Sequence, residues 1–153
     1  MYIAIVVLTM LVLPVGSIVI EHGLHPQAAM LDLVGRWFVF WGRWGPTRHG
    51  RAAAILPAGV HRREIFHIES DEALPLVREL GVANLATGVV GLASIAAPSF
   101  VLPVAISAGI FYAVAGIRHV SEQARSLNET VAMVSDLFIA VVLAAFVVLT
   151  LLS

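Results

Sequence analysis

Apolar residues gather along this chain in four long runs: Tyr2 to Ile20, Leu80 to Ala97, Ser99 to Gly116 and Val131 to Leu152. About 20 apolar residues are needed to cross ~30 Å of hydrocarbon at 1.5 Å per residue, and each run meets or approaches that length. The pattern predicts an all-α protein: one integral membrane four-helix bundle over residues 1–153, with spans at 2–20, 80–97, 99–116 and 131–152. Pro14 falls inside the first run, where it kinks a helix that a membrane bundle can accommodate. Ala97-Pro98-Ser99 is so short a link that the second and third spans must form an antiparallel hairpin. No basic residue precedes the first run and no Ala-x-Ala site comes after it, so it is expected to be a retained helix, not a signal peptide.

The long loop 21–78 contains a different pattern. Leu33, Trp37, Trp41 and Trp44 recur at helical spacing beside Phe38 and Phe40, interrupted by Asp32, Arg36 and Arg43. Such a run is too short and too charged to span. It predicts an added interfacial amphipathic helix over 28–44, with Trp37, Trp41 and Trp44 anchoring it in the headgroup layer. Tryptophans in this arrangement can also pack on a partner or cover a site. Further on, Ser70-Asp71-Glu72 reads as a helix start that continues through Pro75 into the second span.

Composition strengthens the membrane assignment. The chain is 12% charged with a mean hydropathy of +0.95, about half the charge of a soluble domain. Its cations are all arginine. Seven arginines lie between the first and second spans, and Arg118 and Arg125 come after the third. By the positive-inside rule, loops 21–78 and 118–130 are then cytoplasmic and both termini outside. A net charge of −1 with no basic run gives no support for nucleic acid as a partner. The absence of cysteine removes disulfides, thiolate metal sites and cysteine nucleophiles. His49, His61 and Arg62-Arg63 form a basic stretch suited to anionic membrane lipid.

On that topology, Glu21, His22, Glu79, Asn84, His119, Glu122, Asn128, Glu129 and Asp136 share one layer near the cytoplasmic interface. Asn84 lies on one face with Gly88 and Gly91, small residues of the kind that let helices approach closely in lipid. Asp136 leaves only Leu137 to Leu152 as uninterrupted apolar length, about 24 Å at the helical rise. A carboxylate at that depth must face the bundle and find a partner or take up a proton. The expected cluster comprises Glu79, Asn84, His119, Asn128 and Asp136, with His22 and Glu122 as further candidates. It is either a ligand- or proton-binding site or a purely structural network.

The run Glu79-Leu-Gly-Val-Ala-Asn84-Leu-Ala-Thr-Gly88-Val-Val-Gly91, with Gly116-Ile-Arg-His119, Asn128 and Asp136 after it in order, resembles a bacterial family of small four-helix membrane proteins of unknown function. The resemblance covers about residues 78–145. It implies the fold and a bacterial cytoplasmic membrane, and marks Glu79, Asn84, His119, Asn128 and Asp136. It implies no activity.

Other motifs are weaker. Glu64-Ile-Phe-His67 has the spacing of a di-iron helix and His119-Val-Ser-Glu122 reverses it, but such a site needs two pairs and two more acids. No metal is assigned. A haem between His22 and His119 is conceivable if both lie at one depth. A quinone or lipid headgroup near His119, Asp136 and the tryptophans demands less exact geometry. No nucleotide loop or serine elbow is present, so catalytic residues and cofactors stay unassigned. Two functions remain open. In one, the polar cluster binds a proton, metal, quinone or lipid headgroup. In the other, the protein is a non-enzymatic accessory or structural subunit of a homo-oligomer or larger membrane complex, docking through Ala105, Gly109 and Ala113. A transporter ranks third, since four unbroken helices offer little pathway.

Overall fold

The structure, a computed structural model, describes residues 2–44, 74–121 and 125–153, and its regular elements there are all helical. Helix α1 is continuous and has three parts: Tyr2–Val7, a π-helical turn Leu8–Val12, and Leu13–Leu24. It is followed by α2 (Met30–Trp44), α3 (Leu74–Ala96), α4 (Val101–Ser121) and α5 (Leu127–Leu152). Three segments are long and apolar enough to cross a membrane: Ile3–Leu24, Pro98–Ser121 and Leu127–Leu152. Gly81–Ala96 is a shorter apolar helix. Glu64, His67, His49, His61, Glu122 and the proposed helix start at 70–72 lie outside the described residues.

Local chemistry sets the helix boundaries. The Leu13 N–H reaches back five residues to the Leu8 carbonyl, just before the buried Pro14. A proline lacks an N–H and crowds the carbonyl four residues back, so widening the preceding turn relieves the clash. Between α3 and α4, Ala97 is extended and Pro98–Phe100 forms a single 3-10 turn, the tight hairpin expected from the short link. Helix α5 opens with a capping box. Ser126 Oγ accepts from the Glu129 N–H (3.3 Å), and Glu129 Oε2 accepts from the Ser126 N–H (2.6 Å). Together these satisfy two backbone donors that a helix start leaves open.

Helix α2 occupies the centre. It packs against α1, α3, α4 and α5, and Leu33, Phe38 and Val39 are core residues. Glycines make the close approaches possible. A Cβ on Gly35 would overlap the Phe146 ring of α5, and one on Gly91 of α3 would come within 2.9 Å of Arg43 Cβ. Gly88 and Gly91 are buried, so the α3 stripe read from the sequence faces α2.

The expectation that 28–44 lies flat in the headgroup layer is therefore corrected. Only Met30 and Asp32 of α2 are exposed among its described side chains. The tryptophan spacing suggests one apolar stripe, but Val34, Phe38, Val39 and Phe40 widen the apolar surface. The polar face of α2 is met from other helices, Arg36 by Glu21 and Arg43 by Ser107, so the helix can be enclosed.

Placing α2 inside reverses the direction of every later helix relative to α1. Glu21 pairs with Arg36 and Ser17 with Trp41, so α2 runs antiparallel to α1. Gly35 meets Phe146 and Gly42 meets Ile139, so α5 is antiparallel to α2 and parallel to α1. A groove between α1 and α5 is lined by Ile3 and Met10 of α1 and by Thr130 and Phe138 of α5, in the same order along both helices. The two termini therefore lie at opposite ends of the bundle, not together. Glu21 and His22 likewise lie at the opposite end from His119 and Asn128. An internal α2 is not expected from its sequence, because 15 residues carrying two arginines look too polar for the inside of an apolar bundle.

Candidate functional site

Three polar groups line the bundle, and α2 joins two of them. At the α1–α2 turn, the Glu21 carboxylate accepts from Arg36 Nη1 (2.5 Å) and from Trp37 Nε1 (2.6 Å). One turn deeper, Trp41 Nε1 donates to Ser17 Oγ (3.0 Å). Positions 37 and 41, four residues apart, face α1 as an i, i+4 pair does. Both indoles thus bond within the protein. Trp37 and Trp41, expected as headgroup anchors, each have an N–H partner on α1, and the Trp44 side chain lies outside the described residues.

At mid-depth stands Arg43, 4% exposed. Its Nη2 donates to Ser107 Oγ of α4 (3.0 Å), and its guanidinium carbon sits 5.6 Å from the centre of the Phe111 ring. The neighbouring Gly42 carbonyl accepts from the buried Tyr112 hydroxyl. In the sequence Arg43 reads as an interruption of an apolar helix. The signal it carries is the opposite one, since an ionisable residue within an apolar bundle marks a site or a linchpin. Arg43, Thr87, Pro103 and Ser107 line a groove of about 250 Å³ between α3 and α4.

The third group lies toward the other end. His119 of α4 and Asp136 of α5 are close enough for their charges to interact, and Tyr112 feels the charges of both Arg43 and Asp136. Asp136 is half-buried, as its depth requires. The rest of the predicted cluster is looser. Glu79 and Asn128 are exposed and Asn84 is half-buried on α3. Helix α3 packs on α2 and α4 with no extensive contact to α5, the helix that carries Asp136. Among the described residues, no hydrogen bond or ion pair joins His119 or Asp136 to Glu79 or Asn84, and none joins them to each other. With His22 at the far end, a haem bridging His22 and His119 is geometrically excluded. Among the described residues, no three His, Asp or Glu side chains converge as a metal site would require.

Among the described residues the protein is all-helical, with membrane-length helices around a central helix that carries Arg36 and Arg43. The chain belongs to the family described as Family of unknown function (DUF6790), whose model matches residues 70–153. No curated protein and no solved structure matches it.

Proposed function

We propose that this is a polytopic membrane protein that binds a quinone-like ligand, with acceptor oxygens and an apolar tail, in the groove beside Arg43. The observation that carries this reading is an arginine at mid-depth lining a groove, with the hydroxyl-bearing Thr87 and Ser107 beside it. A guanidinium presents a planar fork of donors suited to carbonyl oxygen, and the apolar walls suit a tail. The membrane is the bacterial cytoplasmic membrane, as the family resemblance implies.

In this reading α2 enters the bundle from the Glu21 end and reaches mid-depth at Arg43, shielded from lipid by its neighbours. Arg78 near the start of α3, Arg118 near the end of α4 and Arg125 just before α5 lie toward one end of the bundle. The positive-inside rule places that end, and the N-terminus with it, in the cytoplasm, and the C-terminus outside. Reporter fusions test the sidedness: a C-terminal reporter active only outside fits, and one active only inside overturns it.

The ligand reading is tested by purifying the protein in mild detergent and analysing its absorption spectrum and extracted lipids by mass spectrometry. A stoichiometric quinone lost in Arg43→Leu is the expected result. A ligand-free wild type overturns it. A second reading, an accessory subunit, is favoured by the wholly apolar 420 Å³ groove between α1 and α5. The small-residue face that first suggested docking is largely used within the chain, since Ala105 is buried and Gly109 lies against Leu143 of α5.

A further inference from the structure

The bundle end that carries Glu21 holds a second cavity, distant from Arg43. It measures about 430 Å³ and is walled by Ser17, Glu21, Arg36 and Trp37 on one side. The aliphatic side chains of Ile20, Leu24 and Ile95 form the other wall, with His25 at the rim. Arg36 and Glu21 are partly exposed, at 29% and 18% of their side-chain area, so both can be reached from the cavity.

The chemistry of this wall is specific. Its two charges sit side by side and cancel, so the cavity gives no net attraction to an anionic headgroup. Each still has capacity: a guanidinium carries five N–H donors and a carboxylate accepts about four bonds. Among the described residues, Arg36 bonds through Nη1 alone, and Glu21 accepts one bond at each oxygen. A ligand carrying a phosphate and an ammonium a few ångströms apart could satisfy both at once. Tryptophan at the cavity wall also suits the headgroup level of a bilayer.

We infer that this cavity binds a zwitterionic phospholipid with a primary ammonium, its phosphate on Arg36, its ammonium on Glu21 and an acyl chain along Leu24 and Ile95. A primary ammonium donates hydrogen bonds to the carboxylate and a quaternary one cannot. Phosphatidylethanolamine should therefore be preferred over phosphatidylcholine, and over anionic phosphatidylglycerol.

The test uses the full chain in nanodiscs of equimolar phosphatidylethanolamine, phosphatidylcholine and phosphatidylglycerol, followed by release into detergent and native mass spectrometry. Retained phosphatidylethanolamine should exceed either other lipid by about tenfold, the selectivity expected of charge-assisted bonds. Ile95→Trp and Leu24→Trp each fill the cavity from the aliphatic side without touching the ion pair. Both should abolish the preference at an unchanged melting temperature. Glu21→Gln should reduce phosphatidylethanolamine to the level of phosphatidylcholine. Equal retention of all three lipids by the wild type overturns the assignment. So does a preference that survives both tryptophan substitutions. Because the quinone site lies about two turns, roughly 10 Å, further along α2 and shares no lining residue with this cavity, loss of this selectivity leaves any ligand at Arg43 in place, and the two proposals fail separately.

Discussion

The α1–α2 hairpin and the α4–α5 hairpin solve one problem by different means. Lipid supplies no hydrophobic drive for helix association, so packing and hydrogen bonds must hold helices together. The first hairpin uses polar bonds: Glu21 to Arg36 and Trp37, and Ser17 to Trp41. The second relies on shape. Ala105 and Ala108 are buried, Gly109 lies against Leu143, and Gly116 lies against Leu137. The residues matched by the family model include the second hairpin and none of the first. The difference teaches that a helix rich in arginine and tryptophan can be internal if each polar group has a partner there.

The largest expected effect breaks the second hairpin. A Cβ at Gly116 would lie 2.7 Å from Leu137 Cδ2 and 3.2 Å from the Leu137 backbone nitrogen, so neither side can yield easily. Gly116→Leu should cost about 3 kcal/mol, the upper end of overpacking. Gly109→Ala, whose Cβ would sit an ordinary 3.6 Å from Leu143, should be nearly silent. Denaturation followed by circular dichroism in detergent compares the two. Equal effects would mean that close approach does not hold this hairpin.

Next comes the first hairpin. Glu21→Leu leaves Arg36 and the Trp37 N–H without their shared acceptor. Loss of a fully buried partner costs about 3–5 kcal/mol, but both groups are partly exposed, so about 2 kcal/mol is expected after screening. Arg36→Leu in the same background should then add little. Additive losses would show that the pair does not act as a unit.

These contrasts show how much of the bundle is legible in the sequence. The apolar runs at 80–97, 99–116 and 131–152 correspond to helices, and the tight turn at Pro98 comes directly from a residue that cannot extend the preceding ladder. The depth of Asp136 points to a half-buried carboxyl, and its side chain is half-buried. Helix α2 is the hidden element. Hydropathy averages over a window, and Arg36 and Arg43 lower that average whether they face water or a buried acceptor. Their acceptors, Glu21 at 15 residues' separation and Ser107 at 64, come from other helices and leave no local trace. Misplacing α2 then inverts the first helix relative to the others and puts Glu21 and His22 at the wrong end. The capping box Ser126-x-x-Glu129, by contrast, is a local signal that the sequence displays in full.

A smaller effect belongs to that box. Ser126→Ala removes the side-chain acceptor for the Glu129 N–H and should cost about 1 kcal/mol, the usual worth of an N-cap. It should fray the first turn of α5, seen as faster amide exchange at Leu127 to Glu129, with residues beyond Asp136 unchanged. Exchange rising along the whole helix would mean that the start of α5 is held by this box alone.

The smallest expected effect separates bond from shape most cleanly. Trp41 Nε1 donates to Ser17 Oγ within the bundle, where the alternative in lipid would be an unsatisfied polar group. Intuition therefore assigns it a large value. Polar bonds between membrane helices nevertheless average about 0.6 kcal/mol in double-mutant cycles, because the separated helices find other partners. Trp41→Phe removes the N–H and part of the ring, and Ser17→Ala removes the acceptor with little change in volume. Each single loss mixes bond and packing, but the coupling between them isolates the bond. A cycle of Ser17→Ala, Trp41→Phe and the double variant should give about 0.6 kcal/mol. Coupling near zero would assign Trp41 to packing alone. The two hairpins would then differ only at Glu21, where a charge takes part, and the contrast between them would narrow to a single ion pair with its tryptophan.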